Sequence, residues 1–163
     1  MFNRQNRNFP LLSLKSRALR ALSQREYSRQ ELLQKLTPYE TQEGELEHVL
    51  NELELKDFLN EKRHAQSIAL RKESKLGVRR IHAEMKQKGV PTDVAESVLE
   101  ELKTTELARA TALWLKKFGA LPLNQKEADQ QMRFMMTRGF SSSLLKKIYA
   151  LLKEEAPAET REG

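Results

Sequence analysis

Residues 47–53 read Glu-His-Val-Leu-Asn-Glu-Leu, and residues 96–102, forty-nine positions later, read Glu-Ser-Val-Leu-Glu-Glu-Leu. The same offset aligns Tyr27, Leu32 and Leu36 with Leu76, Ile81 and Met85. About fifty residues further on, a third set aligns: Met85, Gly89, Val94, Val98 and Leu102 with Met135, Gly139, Leu144, Ile148 and Leu152. This period predicts three copies of one small unit, each burying apolar surface that its neighbours leave exposed. Chance overlay of Leu-rich helices is the alternative.

The composition favours helices over strands. Twenty-six Leu stand against three Ile and five Val, which is the bias of helix formers. Ser28 with Glu31, and Asn124 with Glu127, have the spacing of helix-capping pairs, and Gly89 and Gly139 stand where helices end. We therefore predict an all-α fold of nine helices in three triplets, with separate sixth and seventh helices that meet near residue 104.

The repeat and the changes in composition predict five segments: a flexible basic arm over 1–12, three-helix repeats over 13–59, 60–103 and 104–154, and a disordered acidic tail over 155–163. A unit of about fifty residues is marginal alone, so the repeats are expected to share a core. Hydrophobic residues make up 39% and charged residues 32%, which suits an elongated body.

The sequence offers little for catalysis. His48, His64 and His82 do not form a metal-binding pair at helical spacing, the three Asp are scattered, and no Gly-rich phosphate loop precedes a helix. The absence of cysteine excludes disulfides and fits a reducing compartment. We expect a cytoplasmic protein that is no enzyme and has no metal, no cofactor and no membrane span.

Charge alternates in sign with the repeat, although the net charge is +6. The segments carry +6 over 1–30, zero over 31–39, −7 over 40–61, +7 over 62–90, −4 over 91–107, +7 over 108–153 and −3 over 154–163. Stacked units would align like charges into stripes, and a basic stripe would attract phosphate or an acidic protein groove. A solvated surface with local ion pairing is the alternative.

The basic residues are the best candidates for function because arginine pairs in a bidentate way with phosphate and carboxylate. The candidate contact residues lie around a helix junction in the second unit and on the third unit: Arg71, Lys72, Lys75, Arg79, Arg80, Arg133 and Arg138. Other counterparts in the third unit are Lys116, Lys117, Lys146 and Lys147. This pattern indicates an anionic ligand without specifying which.

Several motifs, in order, resemble the RecX family of recombination regulators. They are Ser-Arg-Ala-Leu-Arg-Ala-Leu at 16–22, Arg-Glu-Tyr-Ser-Arg-Gln-Glu-Leu-Leu-Gln-Lys-Leu at 25–36, Phe-Leu-Asn-Glu-Lys-Arg-His-Ala at 58–65, Gly-Val-Arg-Arg-Ile at 77–81, Lys-Lys-Phe at 116–118 and Arg-Gly-Phe-Ser at 138–141. The sequence departs from the family at Leu76, which replaces an aromatic residue, and at Glu73 and Ser74, which interrupt a basic run.

The resemblance implies three tandem three-helix units that form an elongated, curved, right-handed repeat array. It also implies a monomeric regulator that lies in the groove of the RecA recombinase–DNA filament and binds single-stranded or double-stranded DNA weakly. Such a protein inhibits filament extension, ATPase, strand exchange and co-protease activity, and so modulates recombination and the SOS response.

Two other classes of function remain open from the residues. One is a sequence-nonspecific DNA-binding helical module that acts without RecA, with a steep dependence of its affinity on salt. The other is a helical scaffold whose acidic segments, 40–61 and 91–107, bind a different partner.

Overall fold

The computed structural model describes residues 11–155, which form eight α-helices and no strand. The helices are α1 (Leu14–Gln24), α2 (Arg29–Leu36), α3 (Glu45–Leu55), α4 (Glu61–Lys72), α5 (Val78–Gln87), α6 (Thr92–Lys117), α7 (Gln125–Thr137) and α8 (Ser142–Glu155), with a 3₁₀ turn at Thr37–Tyr39 after α2. The predicted all-α fold is confirmed. No helix among the described residues is long and apolar enough to cross a membrane.

The two predicted terminal segments fall almost entirely outside this range. The basic arm lies outside the described residues up to position 10, and the acidic tail lies outside them from position 156. The described edge residues are Leu11 and Leu12, which are exposed and precede α1, and Glu155, which ends α8.

The chain divides into two compact units, an N-terminal unit (1–60) and a C-terminal unit (61–163). Within the N-terminal unit, α1, α2 and α3 enclose one apolar cluster, in which Leu32, Leu50 and Leu53 are fully buried. The C-terminal unit contains two clusters, one around Ile81 and one around Trp114. Each cluster draws its residues from within the bounds of one predicted repeat, and those bounds stay predictions.

The predicted capping box at the start of α2 is present. The Ser28 hydroxyl accepts a hydrogen bond from the Glu31 amide at 3.0 Å, and the Glu31 carboxylate accepts one from the Ser28 amide at 3.0 Å. Two amides that a helix start would leave without partners are thus satisfied.

Ser28→Ala should therefore lower the free energy of unfolding by about 1 kcal/mol, because the loss of an N-cap hydroxyl typically costs that much. Urea titration followed by circular dichroism measures it. Ser23→Ala, on the exposed end of α1, is the control and should change the stability by less than about 0.5 kcal/mol. Equal effects of the two substitutions would contradict a role for the cap.

The prediction of separate sixth and seventh helices is wrong, because α6 runs unbroken through residue 104. No glycine or proline interrupts it. The Thr104 and Thr105 hydroxyls donate to the backbone carbonyls of Glu101 and Leu102, at 2.7 and 3.2 Å, and these bonds form without breaking the helix.

The continuous α6 contributes to both cores of the C-terminal unit. Its first half places Val98 and Leu102 in the cluster around Ile81, and its second half places Ala110 and Trp114 in the next cluster. The division between repeats 60–103 and 104–154 stays a prediction, and it falls within one helix of one compact unit.

Two glycines permit a close backbone approach between the start of α5 and the turn from α7 to α8. The Gly77 amide donates to the Arg138 carbonyl at 2.8 Å, and a Cβ on Gly77 would overlap the backbone of Gly139. Gly139 has φ +88°, and a Cβ there would lie 2.5 Å from Arg80 Cβ. Any side chain at either position would separate these segments.

Candidate functional site

The loop between α4 and α5 is held by an arginine on α6. Arg109 donates from Nη1 to the carbonyls of Glu73 and Leu76, at 2.7 and 3.0 Å, and from Nη2 to the Leu102 carbonyl at 3.1 Å. Burial lowers the pKa of Arg109, and the nearby Glu106 and Glu73 carboxylates oppose that shift. The Leu102 contact fixes the guanidinium on α6, and the two contacts to Glu73 and Leu76 restrict the loop to one conformation relative to α6.

A carboxylate three residues before Arg109 on α6 caps the start of α5. Glu106 Oε1 accepts a hydrogen bond from the Val78 amide at 2.9 Å. The first turn of α5 has no acidic residue of its own and carries Arg79 and Arg80, although cations are unfavourable at the positive end of the helix dipole. These arginines therefore do not serve to stabilise the helix, and Glu106 offsets part of their cost.

Arg109→Leu should lower the free energy of unfolding of the C-terminal unit by about 2–3 kcal/mol, because hydrogen bonds from charged groups typically contribute that much and three carbonyls would lose their donor. Urea denaturation of the full chain provides the measurement. The matched control is Lys103→Leu, an exposed cation on the same helix, with an expected change below about 0.5 kcal/mol. If both variants lose equal stability, the loop is not held in this way.

The close approach of the two glycines places cations from both predicted repeats around one open depression, here called the cationic cleft. It consists of two adjoining cavities of about 440 and 590 Å³ that share Phe134 and Arg138 as a common wall. Six cationic side chains line it: Lys75, Arg80, Lys116, Lys117, Arg133 and Arg138. No carboxylate is among the described residues that line either cavity.

An aromatic ring forms the centre of the cationic cleft. The Arg138 guanidinium carbon lies 4.4 Å from the Phe134 ring centroid, and Lys117 Nζ lies 5.4 Å from it. Phe118 packs edge-on against the same ring, with centroids 5.3 Å apart and an interplanar angle of 86°. The ring orients the two cations by cation–π contact and leaves their charge available to a ligand.

The cleft cations form no ion pairs within the described part of the chain. Across residues 11–155, none of the six cations lies within ion-pair distance of a carboxylate, whereas Lys72 and Lys88, on neighbouring surface, both pair with Glu84 at 3.8 and 3.2 Å. Like charges that line one depression repel each other, so the arrangement costs stability unless an anion binds. Lys116 and Lys117 also lie in the last turn of α6, where the helix dipole favours them.

Four of the seven candidate contact residues line this cleft: Lys75, Arg80, Arg133 and Arg138. The other three lie outside it. Arg71 is exposed and donates to the Ser67 carbonyl within α4, Lys72 is paired with Glu84, and Arg79 is exposed on α5. The assignment of all seven as contact residues stays a prediction.

Phe134 and Arg109 are the residues that sequence reasoning did not single out. Phe134 looks like one more apolar residue of a helix, and only the approach of Gly77 to Gly139 makes it the centre of a basic cleft. Arg109 looks like one more surface cation in a basic segment. Its position directly after an acidic, Thr-rich stretch is a weak signal, because nothing local identifies the carbonyls that it contacts. Among the described residues no cluster of His, Asp or Glu has the arrangement of a metal site.

Proteins similar to this chain along most of its length share one name. The regulatory protein RecX of Leptothrix cholodnii is 44% identical over 148 residues, which cover 91% of this chain and 94% of that protein. The regulatory protein RecX of Ralstonia nicotianae is 40% identical over 137 residues, covering 84% of this chain and 86% of that protein.

Two further comparisons address the fold. The family model for the third three-helix domain of RecX matches residues 104–149. The crystal structure of RecX from Lactobacillus salivarius superposes with a TM-score of 0.75 over 86% of this chain and 95% of that one, at 20% sequence identity. That likeness supports the fold alone.

Tandem helical units with three apolar clusters, and a cleft of cations that form no ion pair within residues 11–155, define an all-helical repeat protein with a basic surface on its C-terminal unit. These features and the similarity to its relatives together identify the family of this chain. It belongs to the RecX family of regulatory proteins.

Proposed function

We propose that this chain binds the RecA recombinase–DNA filament in the cytoplasm and inhibits its extension, ATPase, strand exchange and co-protease activities, thereby modulating recombination and the SOS response. Membership of the RecX family supports the regulatory role, and the cationic cleft is the observation that carries the rest. A filament of protein on DNA presents phosphates and acidic side chains at regular intervals, and both are ligands for unpaired cations.

In this proposal the cleft cations make the main contact with the filament, and further cations add to it. Arg80, Arg133 and Arg138 offer planar guanidinium groups for bidentate pairing, and Lys75 adds a flexible point charge. Arg71, Lys72 and Arg79 do not line the cleft, and in this proposal they contact the same partner outside it. No step of this function requires a catalytic group, a metal or a cofactor.

The segments that form the cleft are held in fixed positions, which suits a protein that binds a regular surface. Arg109 and Glu106 hold the α4–α5 loop, and the approach of Gly77 to Gly139 fixes α5 against the turn after α7. Pre-organised side chains lose less conformational entropy on binding.

Co-sedimentation tests the binding. Filaments of RecA on long single-stranded DNA, formed with a non-hydrolysable ATP analogue, are pelleted with the chain at one molecule per ten RecA protomers. The chain should pellet with filaments, and rising salt should release it before the filaments dissociate, because exposed charges are screened. A chain that stays in the supernatant with intact filaments, or that pellets equally with DNA alone, would contradict the proposal and favour a plain DNA-binding module.

A further inference from the structure

The N-terminal unit contains a second cationic depression, here called the Tyr39 pocket, between α1 and the end of α2. Its volume is about 340 Å³, and its polar lining consists of Arg17, Arg20, Gln24, Lys35 and Tyr39. Arg17, Arg20 and Gln24 are spaced by three and four residues and so lie on one face of α1, and Lys35 and Tyr39 are four apart. Helical spacing thus places the three α1 residues on the same side of the pocket.

The cations of this pocket differ from the other cations of the unit. Elsewhere each described cation is paired: Lys15 and Lys56 with Glu52, Arg25 with Glu31, and Arg29 with Glu47 and Glu54. Within residues 11–60, Arg17, Arg20 and Lys35 have no carboxylate within ion-pair distance. Three unneutralised charges that converge on one depression indicate an anionic ligand.

The Tyr39 ring limits which kinds of anionic ligand suit the pocket. Tyr39 is 48% exposed, and the Arg17 guanidinium carbon lies 3.9 Å from its ring centroid. Arg17 is itself held by a hydrogen bond from Nε to the Leu12 carbonyl, at 3.2 Å. An exposed ring with a stacked arginine and two further cations is the combination that binds single strands, since the π surfaces accept a base and the cations accept the phosphates.

We propose that the Tyr39 pocket binds single-stranded nucleic acid, with a base against the Tyr39–Arg17 stack and flanking phosphates on Arg20 and Lys35. An acidic peptide would engage the same cations but would gain nothing from the ring. The site lies in the N-terminal unit, separate in sequence from the cationic cleft, and its test needs no RecA. Its failure therefore leaves the proposed function standing, and the reverse also holds.

Photocrosslinking locates the contact. The full chain is irradiated with a twelve-nucleotide single strand that carries 5-iodouracil, and is then digested with trypsin. The crosslink should map to residues 36–56, the tryptic peptide that contains Tyr39. Crosslinks confined to the peptide that contains Phe134 would overturn the assignment.

Fluorescence anisotropy with a labelled oligothymidylate supplies the second measurement. Arg20→Gln with Lys35→Gln should weaken binding at least fivefold and reduce the slope of log affinity against log salt by about 1.4, since each phosphate contact on a single strand contributes about 0.7. The control is Lys15→Gln with Lys56→Gln, which removes the same charge from the same unit and should weaken binding less than twofold.

Tyr39→Leu separates a nucleic-acid site from a general anion site. It should weaken binding of the base-bearing strand at least fivefold and leave binding of an abasic strand of equal length unchanged, because stacking requires both ring and base. Circular dichroism should show unchanged helicity, since Tyr39 is half exposed. Equal losses in the pocket and control pairs, or polyglutamate displacing the strand while Tyr39→Leu has no effect, would overturn the proposal.

Discussion

Gly139→Ala is expected to lower the free energy of unfolding of the C-terminal unit by about 2–5 kcal/mol, a large loss for the addition of a single methyl group. Two costs combine. Alanine at φ +88° is strained by about 1–2 kcal/mol. Its Cβ would also lie 2.5 Å from Arg80 Cβ and 2.6 Å from the Arg80 amide nitrogen, so α5 must move away from the turn after α7.

Gly119→Ala is the matched control in the same unit. Gly119 has φ +68°, so it carries the same backbone strain, but its Cβ would meet only the Leu115 carbonyl at 3.3 Å. We expect a loss of about 1–2 kcal/mol there. Urea titration measures the free energy of unfolding of both variants. Because the backbone strain is common to both, the difference between the two losses gives the cost of the close approach. Equal losses would mean that α5 and the α7–α8 turn are not in tight backbone contact.

The largest functional effect is expected from reversing two cleft charges, Arg80→Glu together with Arg133→Glu. The double variant should require more than ten times the wild-type concentration to suppress RecA ATPase on DNA, because two attractive contacts become repulsive. Both side chains are exposed, and a glutamate at position 80 lies in the first turn of α5, where the helix dipole favours it. The fold should therefore survive, and circular dichroism checks this.

Lys146→Glu with Lys147→Glu provides the control for total charge. These lysines are exposed on α8 of the same compact unit and do not line the cleft, so the net charge falls by the same amount while the cleft stays intact. We expect inhibition within about threefold of wild type, as for charges outside the contact surface. If both double variants lose inhibition equally, the overall charge of the chain and not the cleft determines binding.

Local chemistry explains why the fold could be predicted. The aligned apolar positions, the Ser28–Glu31 capping box and the left-handed Gly89 and Gly139 each depend on residues within one turn of helix, and each is present. The exception is the predicted break near residue 104. Two threonines beside charged residues resemble a turn, yet their hydroxyls bond back within the helix, and both neighbouring cores pack on its continuous length.

The site could be predicted only in part, because its geometry depends on contacts far apart in sequence. The abundance of cations near residues 75–80 and 133–138 is visible in the sequence, but their convergence requires Gly77 to meet Gly139. The role of Arg109 could not be predicted for the same reason. Its partners, the Glu73 and Leu76 carbonyls, lie on a loop that is far from it in sequence. Nor does any local pattern distinguish Lys72, which Glu84 neutralises, from Lys75, which lines the cleft.

The most direct test of the central claim is DNA-dependent ATP hydrolysis by preformed RecA filaments, titrated with this chain at substoichiometric ratios in the presence of excess bare duplex DNA of unrelated sequence, which offers no single strand to the Tyr39 pocket. We expect suppression to persist undiminished when the bare duplex DNA is added, because the chain acts on the filament. No suppression, or suppression relieved in proportion to the added DNA, would contradict it.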